Sequence, residues 1–581
     1  MIINRISVMI GGEAGAGINR SGFLFAKSCL RGGLHVFGTI DYQSLIRGGH
    51  SFYIARADAK EIYSQAGTID LLLALNKETI LLHKDELVPG GGIVYDGEET
   101  ALNDEELGTD DLKLYPVPLK GIVKELEGEL VMRNTVALGA AVALLRYDLE
   151  ILSEIIRDEF KPKVAESNVK AARMGYDYGR EHYAGDFAYC LEKTSSAGKR
   201  DIFLTGNEAV GLGAIRAGCK FYAAYPMTPS TGVLHFMAPL DREYGMIVMQ
   251  AESEIAAINM VAGASFAGAR AMTATSGGGF CLMSEGLGMT GMTETPAVIM
   301  LAQRPGPSTG LPTYSGQGDL RFAIHASQGE FPRVVIAPGD VEECFYKTRE
   351  AFNLAEKFQI PAILITDKYL VESHGTVEFF DQNRIGIDRG RLLTDDEYVG
   401  EEEYKRHRFT EDGVSPRAMP GMRGAMVRTN ADEHNESGYT TEDPDLTTKM
   451  TDKRFKKLDA LVKELESYET TNSYGPKEAD VTILGWGSTK GPIRETLKIL
   501  SEEGLKANYL QIVYLNPFPV ANVERELKSA KKTVVVENNK TSQLSSLIRE
   551  HLLMTADHKI LKYDGRPFNP RDLSQMIKGV L

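Results

Sequence analysis

A carboxylate, a hydroxyl and a guanidinium stand at segment ends between Tyr225 and Gly310, each beside small or apolar residues. Glu254 lies in Ser253-Glu254-Ile255-Ala256, ahead of an apolar helical stretch. A carboxylate there either complements its own helix dipole or faces a pocket that keeps water out. Glu252 is its rival, which spacing leaves open. Thr228 sits in Tyr225-Pro226-Met227-Thr228-Pro229-Ser230, between two prolines that fix its backbone. The motif reads as a stiff turn or as a mount for one hydroxyl. Arg304 ends an apolar strand and precedes Pro305-Gly306-Pro307. It suits either a loop cap or a bidentate grip on a carboxylate. Thr275-Ser276-Gly277-Gly278-Gly279 brings backbone amides near a ligand or allows tight packing. Near the N-terminus, Gly11 to Gly17 follows a strand and opens a helix, an arrangement that cradles a phosphate or makes a tight turn.

Other chemistries lack their residues. The third glycine position counted from Gly15-x-Gly17 holds Arg20, so the dinucleotide fingerprint is incomplete, with Asp41 as weak support. No phosphate-binding P-loop occurs. His50, His235, His325, His407 and His434 are scattered without ligand spacing, and the five cysteines form no C-x-x-C pair. No metal or iron–sulfur cluster is therefore expected on this chain alone. Gly-Asp-Gly followed by an asparagine pair, which holds a magnesium diphosphate, is missing too. Asn538-Asn539 occurs without the upstream part.

Elements that position these groups follow a parallel α/β grammar. Strands are expected at Ile6–Ile10, Val36–Ile40, Asp70–Leu75 and Gly92–Tyr95, with helices over Arg20–Leu30, Arg133–Arg146 and Leu149–Phe160. A polar stretch from Ala188 to Arg200 reads as a linker. A second series starts at Asp201 and includes strands Ala297–Leu301, Arg333–Ala337 and Pro361–Ile365, with helices Glu254–Phe266 and Asp340–Lys357. From about Gly375 to Phe455 charge runs and prolines predict an irregular excursion that wraps another surface. A third series runs through Val481–Leu484, Ala507–Val513 and Thr533–Glu537.

A length of 581 residues predicts about three to five domains. The composition, 43% apolar and 25% charged, is that of a soluble globular protein. A net charge of −15 argues against a nucleic-acid surface. Sparse cysteines, no leader and no charge-free transmembrane window point to the cytoplasm and away from a membrane.

Read together, the Tyr225, Ser253 and Arg304 blocks resemble the alpha subunit of the 2-oxoacid:ferredoxin oxidoreductases, and the resemblance covers nearly the whole chain. It implies three Rossmann-like parallel-sheet domains: a gamma domain over 1–190, a thiamine pyrimidine-type domain over 200–374, and a transketolase C-terminal-like domain over 476–581. An extended insertion over 375–475 separates the last two. Arg47-Gly48-Gly49 and Arg133-Asn134-Thr135 carry the first likeness, and Gly485 to Gly491 with Leu515 to Pro519 carry the third. The implied activity is coenzyme A-dependent oxidative decarboxylation of a 2-oxoacid, 2-oxoglutarate ahead of pyruvate or a broad range, with electrons passing to ferredoxin. Glu254 would meet the thiamine aminopyrimidine and promote its activation. Thr228 and Arg304 would orient the substrate. Tyr225, Pro226, Ser276 and Gly277 would touch the cofactor, and Gly15, Gly17 and Arg47 coenzyme A. Thiamine diphosphate and Mg²⁺ would be held mainly by a beta subunit that also carries a [4Fe–4S] cluster, in an alpha2beta2 assembly.

Three departures stand out: Met227 where isoleucine is usual, Gly278 where proline is usual, and Tyr314 where many relatives carry a basic residue. The residues alone also leave open a nicotinamide or flavin oxidoreductase built on the first loop, and a non-catalytic scaffold.

Overall fold

Apolar runs form the central strands of the second unit's large sheet, where every position of Ala297–Gln303 and Pro361–Asp367 is buried, as expected of a parallel sheet covered on both faces. The computed structural model describes residues 1–581 except 46–47, 103–106, 109–110, 199–200, 395 and 399–402. It divides into two units. The first comprises Met1–Leu204, Ser373–Phe379 and Asn569–Leu573, and the second Thr205–Glu372, Phe380–Phe568 and Ser574–Leu581.

In the first unit, β1 (Arg5–Glu13) leads through the glycine loop into α1 (Ile18–Arg31) and on to β2 (His35–Tyr42). The sheet continues with β3 (His50–Asp58), β4 (Ile69–Ala74), β5 (Leu87–Asp96) and β6 (Lys113–Val117), in the order β6-β5-β4-β1-β3-β2. Strands β6, β5, β4 and β1 are parallel. Within this largely parallel sheet β3, a strand the sequence does not announce, runs antiparallel to both β1 and β2 and fills the gap left by the β1-α1-β2 crossover. Strand His374–Val377 adds antiparallel to β2. Helices α2 (Arg133–Leu144), α3 (Leu149–Glu159) and α4 (Pro162–Tyr183) follow. A Cβ on Gly139 or Gly175 would fall 2.0 or 2.1 Å from a carbonyl oxygen of the facing helix, so α2 and α4 touch backbone to backbone. Residues Tyr189–Cys190, in the stretch read as a linker, pair with Ile2–Ile3.

The second unit begins with α5 (Gly206–Arg216), closed by a capping box between Thr205 and Glu208. Its large sheet is built from β7 (Phe221–Ala224), β8 (Ile247–Gln250), β9 (Ala271–Thr275), β10 (Ala297–Gln303), β11 (Val334–Ile336) and β12 (Pro361–Asp367). Helices α6 (Glu254–Phe266), α7 (Gly277–Met292) and α8 (Val341–Phe358) lie between them in sequence. The order is β8-β7-β9-β10-β12-β11, parallel throughout. Every residue of β10 and β12 is buried.

Among the described residues the excursion after Phe379 holds no strand or helix before the 22-residue helix α9 (Pro444–Leu465), which the sequence reading misses. Two buried charge clusters pin it to the same unit. Glu356 of α8 pairs with Arg270, with Arg389 and with Arg417. Glu294, just past α7, receives Lys453 Nζ at 2.6 Å, Lys457 Nζ, and His407 Nδ1 at 2.9 Å.

A second sheet in this unit has the order β13-β15-β14-β17-β18, from β13 (Thr471–Tyr474), β14 (Val481–Gly485), β15 (Ala507–Ile512), β17 (Thr533–Glu537) and β18 (His558–Leu561). Only β13 is antiparallel. Strand β16 (Tyr514–Asn516) pairs antiparallel with β11 of the large sheet, which joins the two sheets into one body.

Candidate active site

Four of the sequence-marked segments meet at the ends of β7, β9 and β10 and the start of α6. Ser253 caps α6 by accepting a bond from Ala256 N at 3.2 Å, and Glu254 is the first helical residue. Glu254 is 3% exposed, and its Oε1 is shielded from solvent with no hydrogen-bond partner among the described residues. Glu252 is exposed. An unpaired buried carboxylate oxygen costs free energy unless a ligand satisfies it.

What Glu254 faces is the glycine run that opens α7. A Cβ on Gly279 would come within 2.5 Å of Glu254 Oε1 and 2.1 Å of Thr275 Oγ1, so only glycine admits the carboxylate this close. Ser276 precedes the helix, wholly buried, with its hydroxyl also unpaired. Thr275 Oγ1 lies 3.9 Å from Met227 Sδ, linking this turn to the motif after β7. That motif is held by Asn207 Nδ2, which donates to Pro229 O at 2.9 Å, and by Ser230, whose Oγ donates to Met227 O at 2.8 Å. Tyr225 is 40% exposed and Pro226 half-buried. Arg304 Nη1 donates to Thr228 O at 2.8 Å, so the predicted guanidinium and hydroxyl residues are neighbours. Partial burial moves the Arg304 guanidinium below its ordinary value.

Beyond Arg304 the chain folds back, with Leu311 N donating to Pro305 O at 3.0 Å. Asn538-Asn539, which in sequence resemble half of a diphosphate motif, anchor this return. Asn538 N donates to Gln317 Oε1 at 2.9 Å and Asn539 Nδ2 to Gln317 O at 3.1 Å. Gln317 Nε2 donates in turn to Trp486 O at 2.9 Å. Tyr314 lies under the guanidinium of Arg566, 5.1 Å from the ring centre.

Sequence reasoning misses Asp319. Its N–H donates to Gln303 Oε1 at 2.9 Å, and its Oδ2 is shielded and unpaired. A Cβ on Gly277 would fall 2.7 Å from that oxygen. Burial pushes the carboxyl up to about 6. The available signal, an acid ahead of a short helix, reads as a cap, yet Asp319 makes no capping bond.

In the first unit, Gly15 and Gly17 have φ of 87° and 80°, a region that favours glycine, and Gly17 ends the loop at the start of α1. Asn134 Nδ2 donates to Ala16 O at 2.7 Å, and Ala14 N to Gly49 O at 2.9 Å, so segments 133–135 and 48–49 brace the loop. Arg47 lies outside the described residues.

Three family descriptions match the chain: "Pyruvate ferredoxin/flavodoxin oxidoreductase" over residues 7–178, "Pyruvate flavodoxin/ferredoxin oxidoreductase, thiamine diP-bdg" over 212–453, and "Pyruvate:ferredoxin oxidoreductase core domain II" over 479–573. The alpha subunit of 2-oxoacid:ferredoxin oxidoreductase 2 from Aeropyrum pernix is 35% identical, over 99% of this chain and 98% of that one. The chain belongs to the 2-oxoacid:ferredoxin oxidoreductases. The 2-oxoglutarate synthase subunit KorA of Archaeoglobus fulgidus is likewise 35% identical, matching 65% of this chain and 99% of its own. Among solved structures, a 2-oxoglutarate:ferredoxin oxidoreductase from Magnetococcus marinus with 2-oxoglutarate, coenzyme A and succinyl-CoA bound superposes with a TM-score of 0.91, at 35% identity and 99% coverage of both chains. This family places an oxidoreductase chemistry and a thiamine diphosphate-binding region on the unit that holds Glu254. No helix of the described residues is long and apolar enough to cross a membrane.

Proposed function

We propose that this chain is the alpha-type subunit, with a fused gamma domain, of a cytoplasmic enzyme that converts 2-oxoglutarate and coenzyme A to succinyl-CoA and CO₂, passing two electrons singly to ferredoxin. One observation carries the reading. The orphan oxygen of Glu254, dry and framed by Gly279, Thr275 and Ser276, fits the ring nitrogen of a thiamine aminopyrimidine. Thiamine diphosphate, when bound, supplies the electron sink that makes cleavage beside a keto group possible.

The chain's own residues have separable tasks. Glu254 holds or shares a proton at the aminopyrimidine from a site without water. Arg304, tethered by Thr228 O, keeps further donors for the carboxylate of the substrate, and Thr228 stands beside it. Tyr225, Pro226, Ser276 and Gly277 surround the cofactor position. In the first unit, the amides at Gly15 and Gly17 suit a phosphate of coenzyme A, with Arg47 as the matching cation. The nicotinamide reading of that loop loses its footing with the missing third glycine and the family membership.

A partner chain is part of this reading. Tyr225, Ile247, Met249, Ile255 and Leu282, on β8, α6, α7 and the adjoining motif, are each at least 40% exposed. Large exposed apolar side chains on the elements around a cofactor pocket suit an interface. The partner would bring the diphosphate-binding motif with Mg²⁺ and the [4Fe–4S] cluster, in a two-plus-two assembly.

Arginine 304 tests the substrate assignment. In the enzyme co-expressed with its neighbouring subunit, Arg304→Lys lowers kcat/KM for 2-oxoglutarate by about 10–100-fold, since a point charge replaces a planar fork. A panel of 2-oxoacids measured by viologen reduction names the substrate. Unchanged kcat/KM for every oxoacid in the variant would refute the role of Arg304.

A further inference from the structure

Two acids approach the first turn of α7 from different sides. Asp319 lies against Gly277 and Glu254 against Gly279, and residues two apart on a helix point about 200° apart. Both carboxyls present a shielded oxygen that no described residue satisfies, and the hydroxyl of Ser276, the residue ahead of α7, is unpaired as well. Asp319 is not free to move. Its backbone N–H is fixed to Gln303 Oε1, and Gln303 Nε2 donates to Thr366 O at 3.0 Å, next to the strand end that carries Arg304. Gln317, two residues earlier, is locked by Asn538, Asn539 and Trp486.

We propose that Asp319 is a positioning residue for the reaction: its buried carboxyl packs against the first turn of α7 on the Gly277 side and sets where that turn stands, so that Glu254 on the Gly279 side keeps a single aim. This inference rests on the assignment of Glu254 to the thiamine ring. The energetics separate it from a packing role. Burial holds the Asp319 carboxyl at about 6, above the ordinary 3.8. A raised carboxyl favours folding below its unfolded value, and that contribution is lost as pH rises through about 6. At pH 8 the ionised, unpaired group therefore costs stability. A residue retained at such a cost is expected where function demands it. A titratable group that its charge reaches is Cys281 on α7, whose thiol burial pushes up and the Asp319 charge pushes further.

The test uses the co-expressed two-chain enzyme with Asp319→Asn, Asp319→Glu and, in parallel, Glu254→Gln. Asp319→Asn should melt a few degrees above the parent at pH 8, with the gap closing toward pH 4, and should retain its thiamine diphosphate. Its kcat should fall about 10–100-fold, as for other losses of preorganisation, with KM changed less than about twofold, and Asp319→Glu should recover part of the loss. A kcat for Asp319→Asn within about twofold of the parent overturns the proposal, as does a variant that melts lower and loses activity in step with its thiamine. If Glu254→Gln is fully active, the underlying thiamine assignment fails. If Glu254→Gln is inactive while Asp319→Asn is normal, only the Asp319 proposal falls.

Discussion

Replacing Glu254 by Gln should lower kcat of the assembled enzyme by about 10²–10⁴-fold, the usual loss when a positioned acid–base group is removed. Glutamine keeps the volume and a carbonyl oxygen at the same place, so the pocket framed by Gly279 and Thr275 survives. What disappears is a group that can carry the proton or the negative charge. Thiamine diphosphate bound after purification should fall much less than kcat, because in the proposed assembly a partner chain would hold the diphosphate end. Glu252→Gln is the matched control. Its side chain is exposed two residues away, and its kcat should stay within about twofold. Equal losses in both variants would return the choice between the two acids to an open question. A fully active Glu254→Gln enzyme would make this chain a scaffold.

A second large effect is expected on stability. Glu294→Gln should destabilise the second unit by about 3–5 kcal/mol, since removing one member of a buried ion pair strands its partners. Here a single carboxylate, 1% exposed, faces Lys453 and Lys457, each 1–2% exposed, with His407 at 2.9 Å and Arg406 bonded to its carbonyl oxygen. Burial alone would raise the Glu294 carboxyl, but Lys453, Lys457 and His407 outweigh it and hold the group well below its ordinary value. A depressed carboxylate stabilises the fold above its unfolded value and loses that contribution as pH falls through the folded one. The gap between parent and variant should therefore shrink in acid. Urea unfolding followed by the fluorescence of Trp486, the only tryptophan and fully buried, reports it directly. A pH-independent gap would mean that shape, not charge, accounts for the loss.

This cluster also explains why the sequence hides α9. Its buried face includes Lys453, Arg454 and Lys457 together with Met450, Leu461 and Leu465, so ion pairs stand where an apolar stripe would normally show. Helix α6, by contrast, is legible to the residue, because Ser253 caps it and apolar residues run to Phe266. Strand β17 is equally plain, with every position of Thr533–Glu537 buried. Strand β3 is obscure because its buried positions after His50 are Ser51, Tyr53, Ala55 and Ala57, which give little hydrophobic contrast. The helical start of α7 is hidden in the sequence, since three consecutive glycines are poor helix formers. The two flanking acids account for Gly277 and Gly279, while a Cβ on Gly278 would meet nothing within 4 Å.

The candidate site divides in the same way. Glu254, Thr228 and Arg304 announce themselves through rigid or small neighbours, and the resemblance supplies their chemistry. Gln303, Gln317 and Asp319 act through contacts between distant segments, up to 222 residues apart for Gln317 with Asn539, and single-sequence patterns carry no trace of those.

The most direct measurement is viologen reduction by this chain co-expressed with its neighbouring subunit, given 2-oxoglutarate, coenzyme A and thiamine diphosphate, with each chain also assayed alone. The account predicts reduction that requires both chains, needs coenzyme A, yields succinyl-CoA and fails with Glu254→Gln. A two-chain assembly that holds no thiamine diphosphate and reduces no viologen with any 2-oxoacid would contradict it.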